Sequence, residues 1–194
     1  MKSILVTGGA GFIGSNLVAA LLERTGYHIV VSDAFGDGQK WYNLRKSPVA
    51  EVIRPAQLHD WLGNHGSALE AIFHLGTQAS TTETDVDLLM DANHSHSGLL
   101  WRWCADRGVR FFYASSSAVY GQGEAGFADG EDLAQMATLR PLHPQGWSKL
   151  LFDRYAATSA AAGSAPPQWA GLRFFNVYGP NEYHKGDQRS VIHK

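Results

Sequence analysis

The stretch Ile4-Leu5-Val6-Thr7-Gly8-Gly9-Ala10-Gly11-Phe12-Ile13-Gly14-Ser15-Asn16-Leu17-Val18 decides the fold. Ile4 to Val6 is a short β-branched and aliphatic run halted by Thr7-Gly8-Gly9, as a buried parallel strand is on meeting a turn. After Gly14, Leu17, Val18, Leu21 and Leu22 fall on one stripe at helical spacing, and Gly26 closes that helix. The glycines between strand and helix follow the spacing 8, 11, 14 and equally 9, 11, 14. A glycine at the turn permits dihedrals barred to other residues, Gly11 lets backbone approach a pyrophosphate, and Gly14 allows close packing of the helix. Phe12 and Ile13 stand at the helix N-terminus, where unpaired N–H groups and the dipole favour an anion without any lysine.

Working outward, His28 to Ser32 reads as a second strand ending at Asp33 and Ala34, roughly 20 residues beyond the glycines. That is the position from which a carboxylate accepts hydrogen bonds from an adenine ribose, and it favours NAD. Lys40 and Arg54 point the other way, because either cation could neutralise a 2′-phosphate and so select NADP. Val52-Ile53 is a short third strand, followed by a helix from near Pro55, and Leu69 to Leu75 is a fourth strand. Asp87 to Arg107 reads as one long helix stopped by Gly108, with Leu88, Leu89, Ala92, Leu99, Leu100 and Trp103 on its apolar face. A fifth strand spans Val109 to Ala114. Gly121 to Leu139 is Gly-rich and acidic, and reads as a surface loop. Pro144 to Ala162 is a helix with Leu150, Leu151, Tyr155 and Ala156 inward, and Trp169 to Phe175 a sixth strand ahead of the breaker Gly179-Pro180. This alternation predicts an α/β fold, a doubly wound parallel sheet of Rossmann type with helices on both faces.

Composition narrows the function. In 194 residues, 44% are hydrophobic and 18% charged, which excludes a disordered chain. Sixteen basic residues against eighteen acidic ones give a net charge of −2, which argues against nucleic acid and against an anionic membrane surface. No run approaches the roughly 18 apolar residues of a membrane helix, and Met1-Lys2-Ser3 carries no secretory pattern, so a cytoplasmic protein is expected. The single cysteine, Cys104, suits a reducing compartment and reads as a small buried hydrophobe. Nine histidines do not suggest a metal: His94 and His96 alternate on a helix and cannot share a face. The six tryptophans, Trp41, Trp61, Trp101 and Trp103 among them, read mostly as core and interface residues.

The segments Thr7 to Gly14, Ala114-Ser115-Ser116-Ser117-Ala118-Val119-Tyr120-Gly121, Lys149, and Arg173-Phe174-Phe175-Asn176-Val177-Tyr178-Gly179-Pro180 together resemble the extended short-chain dehydrogenase/reductase family. Within it, Thr81-Thr82-Glu83-Thr84-Asp85, Gly146-Trp147-Ser148-Lys149 and His184-Lys185-Gly186 are most similar to the branch that epimerises ADP-linked heptose at C6″ for lipopolysaccharide core synthesis. The resemblance implies a serine at Ser116 that hydrogen-bonds the reacting oxygen. It implies a lysine at Lys149 that stabilises a phenolate and binds nicotinamide ribose, and a second acid–base lysine at Lys185. Leu75, Gly76, Thr77, Asn93 and Val177 match cofactor contacts, and Asn176 a sugar contact. The family pattern Tyr-x-x-x-Lys departs here, since the tyrosine position holds Gln145, whose amide can hydrogen-bond but cannot accept a proton at neutral pH. Tyr113, Tyr120 and Tyr178 match other family positions and do not replace it.

These readings imply an NADP-dependent nucleotide-sugar epimerase, with NAD as the alternative cofactor and ADP-heptose as substrate, impaired at Gln145. The other readings are a catalytically silent dinucleotide-binding relic, or a related nucleotide-sugar epimerase, dehydratase or reductase. The division implied is a dinucleotide-binding domain over 1–180 and the start of a truncated substrate-binding region over 181–194. Lys194 lies in loop, and family members assemble as homo-oligomers.

Overall fold

The computed structural model describes residues 2–130 and 132–193, so the reading of Lys194 lies outside the described residues. By internal contacts the chain divides into two units, Met1–Gly76 with Asn176–Lys194, and Thr77–Phe175. Each is built on parallel strands.

In the first unit, β1 (Ser3–Thr7), β2 (His28–Ser32), β3 (Glu51–Ile53) and β4 (Leu69–His74) follow the expected boundaries within two residues. β1 is central, paired in parallel with β2 on one side and β4 on the other, and β3 extends the sheet beyond β2. Parallel strands joined this way need crossovers, and α1 (Phe12–Arg24) and α2 (Leu58–His65) supply them. Ile4 and Val6 pack with Ile29, Val31 and Val18 of α1, with Leu17, Leu21 and Leu22 partly buried around them. Leu5, Val30 and Ile72 are buried on the opposite face, which is why β1 reads as a continuous apolar run.

In the second unit, β5 (Arg110–Ser116) pairs in parallel with β6 (Trp169–Phe174). The expected single helix over 87–107 is three pieces: α3 (Val86–Met90), a wider π-helical turn (Asp91–Ser95), and α4 (His96–Arg107). Asp85 caps α3 through Leu88 N, and Gly108 ends α4 in the left-handed region at φ 66°. Of the residues expected on one apolar face, Leu89 and Leu100 are buried, with Trp101 and Cys104, while Leu88 and Leu99 are exposed. Burial pushes the Cys104 thiol up, which leaves it inert. The segment read as loop contains α5 (Leu133–Met136), a single turn capped by Asp132 and anchored by buried Met136. α6 (Pro144–Ala161) starts and ends where expected, within one residue. Trp101, Phe111, Tyr113, Phe152 and Tyr155 form edge-on and stacked ring contacts, the aromatic centre of this unit. Trp101 is fully buried, whereas Trp41 and Trp147 are exposed.

The turn after β1 has the tightest backbone contacts. Gly8 adopts φ +68°, and a Cβ there would sit 2.6 Å from Gly76 N; one on Gly14 would sit 2.1 Å from Gly8 O. Gly26 has open space. Gly14→Ala is therefore expected to cost about 1–3 kcal/mol by overpacking, at roughly 2–4 °C of melting temperature per kcal/mol. Gly26→Ala should stay within about 0.5 kcal/mol. Thermal unfolding of the two variants checks this.

Candidate functional site

The first unit carries the glycine turn. Gly11 is the extended residue preceding α1, and the carbonyl of Gly8 accepts from Gly11 N at 3.0 Å. No side chain caps the start of α1. Its first amides, from Phe12 and Ile13 onward, are thus available to an anion. Gly76 N donates to Thr7 Oγ1 at 3.0 Å and Leu75 N to Thr7 O at 3.1 Å, so the end of β4 is pinned beside the turn.

Asp33, at the tip of β2, is only 6% exposed and both its carboxylate oxygens are engaged. Oδ2 accepts from Ala10 N at 2.8 Å, which ties the carboxylate to the glycine turn, and Oδ1 pairs with Lys40 Nζ at 2.5 Å. Lys40 also donates to Ala34 O at 3.1 Å. Arg54 is exposed on the turn following β3. Two residues not singled out from the sequence for this region join it. Asn43 donates to Ala10 O at 2.9 Å and to Asn181 O at 3.2 Å, and its amide lies 3.1 Å from His184 Nδ1. Burial and the nearby Lys40 charge hold His184 below the usual imidazole range. The cradle, a buried carboxylate and a facing ammonium suit the diphosphate and adenosine ribose of a dinucleotide, and neither Gly8 nor Gly14 has room for a side chain that would fill it.

Beyond β6, the chain returns to this first unit. Asn176 and Val177 are exposed. Lys185 Nζ lies 5.2 Å from the Phe12 ring centroid and 3.9 Å from Glu182 Oε2. Glu182 is completely buried; its carboxylate accepts from Gly179 N at 3.1 Å, Ser190 N at 2.7 Å and Ser190 Oγ at 2.8 Å. Burial opposes the charged form, but those donors and the Lys185 charge outweigh it and hold the carboxyl below its ordinary range. Glu182 escaped sequence reasoning, since an acidic residue in a polar stretch looks solvated.

The second unit carries the other group of candidates. The end of β5 and the start of α6 converge: a Cβ on Gly146 would meet Ala118 O at 2.7 Å. Ser116 Oγ accepts from Ala118 N at 3.1 Å. Gln145 is 3% exposed and its Oε1 has no hydrogen-bond partner among the described residues. One turn along α6, Lys149 is buried, with Nζ 2.7 Å from Thr77 Oγ1 and 2.7 Å from Ala114 O. Asn93, inside the π turn, accepts from Gln78 N and donates to Gln78 O and Ser148 Oγ, so its side chain clamps the segment after β4 against α6. Of the three tyrosines set aside from the sequence, Tyr113 donates to Asp153 and Tyr120 to Ala128 O, and Tyr178 is exposed.

A cavity of about 640 Å³ opens along β6, lined by Tyr113, Tyr120, Phe127, Trp169, Arg173 and Phe175 among others, but not by Ser116, Gln145 or Lys149. Asp153 at its wall is bonded by Arg173, Ser115 and Tyr113, a self-satisfied buried network. Chemistry rather than volume therefore marks the candidate site. Among the described residues no three His, Cys, Asp or Glu side chains gather as a metal ion would need, and no helix is long and apolar enough to cross a membrane.

Residues 4–194 match the model of the NAD dependent epimerase/dehydratase family, and the chain belongs to that family. It is 42% identical over 191 residues to a curated ADP-L-glycero-D-manno-heptose-6-epimerase of Fusobacterium nucleatum, covering 97% of this chain and 57% of that protein. The Helicobacter pylori enzyme of the same name superposes at a TM-score of 0.81 with 30% identity, covering 98% of this chain and 60% of that one. A Bacillus cereus UDP-glucuronic acid 4-epimerase, solved with NAD, superposes at 0.73 with 31% identity over 93% of this chain and 58% of its own. The chain thus spans a little under three-fifths of the length of the Fusobacterium relative. The likeness to solved structures confirms the Rossmann-type α/β class expected from the alternation of strands and helices.

Burial drives the Lys149 pKa down to about 7, against the opposing pull of Asp153. Below that value both folded and unfolded chains carry the proton, and the desolvation penalty is fully felt. Between about 7 and the unfolded value near 10.4 the unfolded chain binds more protons, so stability rises with pH, and above it the penalty is gone. Lys149→Met should therefore raise the melting temperature at pH 6–7, by an amount that shrinks toward zero near pH 10. Thermal unfolding of both chains across this range measures it.

Proposed function

We propose that the chain is the cofactor-binding portion of an NADP-dependent nucleotide-sugar epimerase that inverts C6″ of ADP-D-glycero-D-manno-heptose to the L-glycero form. NAD is the alternative cofactor, and a cytoplasmic setting and homo-oligomeric assembly go with the same reading. Residues 1–180 serve the dinucleotide, and 181–194 begin the substrate-binding region. The observation that carries the reading is the glycine turn at an uncapped helix start, with Asp33 tied to that turn and to Lys40. Lys40 supports NADP, because a 2′-phosphate gives its ammonium a doubly charged partner in exchange for Asp33. Arg54 is the second candidate for that phosphate, and Leu75, Gly76, Thr77, Asn93 and Val177 remain assigned beside the cofactor by family position.

A bound nicotinamide supplies reversible hydride acceptance, without net consumption. The chain's own residues do the rest. Ser116 donates to the reacting oxygen, and Asn176 holds the sugar. Lys149 donates to the nicotinamide ribose. Lys185 exchanges a proton on the opposite face of the transient carbonyl, carried on a loop fixed by Glu182. Gln145, where the family places a tyrosine, holds a hydroxyl by hydrogen bonding and takes no proton from it.

Saturating NADP at about 100 times its Kd should stabilise the chain by about 2.7 kcal/mol, and Lys40→Ala should weaken NADP much more than NAD. If neither dinucleotide raises the melting temperature, the dinucleotide reading is lost. Gln145→Tyr should speed inversion of ADP-heptose by about 10²- to 10⁴-fold, followed by the ratio of the two epimers. A silent dinucleotide-binding protein, which Gln145 itself favours, would bind cofactor and show no inversion with either residue.

A further inference from the structure

Without an acid–base group at 145, the described residues around the start of α6 offer another seat for a proton besides the imidazole of His143 at the helix cap. Lys149 Nζ touches two oxygens, Thr77 Oγ1 and Ala114 O, each at 2.7 Å. A carbonyl only accepts, but a hydroxyl both donates and accepts. A neutral amine can therefore donate to Ala114 O while its lone pair receives the Thr77 O–H, and an ammonium can donate to both. The same two neighbours serve either protonation state without rearrangement. Lys149 itself is buried, whereas Thr77, on the segment leaving β4, is only partly so. The hydroxyl is thus the outer member of the pair.

We propose that Thr77 and Lys149 form the proton-exchange pair of this chain, doing the work that Gln145 cannot. In the step, the O–H bond of the substrate hydroxyl breaks and its proton joins Thr77 Oγ1, while the original Thr77 proton passes to the Lys149 lone pair. Lys149 becomes an ammonium, and the alkoxide collapses to the carbonyl as its hydride leaves to the nicotinamide named above. The return step runs the same transfers backward. The position is held from both sides: Asn93 binds Gln78, next to Thr77, and Ser148, next to Lys149.

Burial, against the pull of the one charge that acts on it, favours the neutral form of the Lys149 amine. The charge acting on Lys149 is that of Asp153 on α6, which is in turn bonded by Tyr113 on β5 and Arg173 on β6. The Asp153 carboxylate is matched by the Arg173 guanidinium at 2.9 Å and only partly offsets the effect of burial on Lys149. His143, at the cap of α6, is the competing base; its Nδ1 accepts from Gly146 N at 3.4 Å.

The inference rests on the epimerase reading for its substrate, but its first readout does not need turnover. In the 194-residue chain with ε-¹³C-labelled lysine, the resonance lost in Lys149→Arg should titrate near pH 7. Transient reduction of bound NADP on mixing with ADP-heptose should then rise with pH through that same midpoint. Thr77→Val should slow it by about 10²-fold or more, Thr77→Ser should keep it within about threefold of the parent, and His143→Asn should leave the pH limb in place. A Lys149 midpoint above about 9, a Thr77→Val rate within about threefold of the parent, a limb that moves with His143, or a parent chain that binds NADP but never reduces it would each overturn the relay. Cofactor binding, followed separately by its thermal shift, distinguishes the two failures: a chain that binds NADP and fails these tests loses only the relay.

Discussion

Three short backbone approaches, Gly8 on Gly76, Gly14 on Gly8, and Gly11 on the Gly8 carbonyl, set everything else in the first unit. With no Cβ between them, β1 can turn straight into α1, so the helix begins with its unpaired amides beside the ends of β1 and β4. Hydrogen bonds from Ala10 N and Gly76 N then tie Asp33 and Thr7 to the same turn. A side chain at Gly14 would push the helix off the turn, and one at Gly8 would push away the end of β4. The turn is rigid because it is crowded by backbone, which cannot shift rotamers to make room.

Much of this was readable in advance because glycine spacing and apolar periodicity are local signals. β2 falls on the residues read from the sequence, and α6 ends within one residue of them. The failures share a physical cause, which is that tertiary packing decided what periodicity left degenerate. The π turn at Asp91–Ser95 interrupts the helix in a way no average over the window detects, and packing leaves Leu88 and Leu99 exposed while Leu89 and Leu100 are buried. α5 is one turn long, held by an Asp132 cap and the burial of Met136, too short for a period to show.

The candidate residues divide in the same way. Motif positions were readable, but their partners were not, since partners are set by the fold. Lys40 closes on Asp33 rather than standing free, and Glu182 is a buried carboxylate holding four contacts together. A carboxylate with three donors directed at it is a fixed element, and the loop bearing Lys185 is shaped around it rather than around solvent. Asn93, assigned from the family to the cofactor, has all its amide hydrogen bonds within the second unit.

Gln145 concentrates the tension between structure and chemistry. A buried amide oxygen without a partner costs about 1–3 kcal/mol, and nothing described in the chain relieves it. A ligand hydroxyl or amide that supplies the missing donor turns that penalty into affinity, because binding restores what folding left unpaired. The same burial strips solvent from Lys149, weakening its hold on a proton while leaving its two oxygen neighbours in place. Replacing a phenol by an amide therefore does not empty the site. It shifts the amide toward holding a hydroxyl and leaves the amine, through Thr77, as the group whose charge state can change with the substrate's.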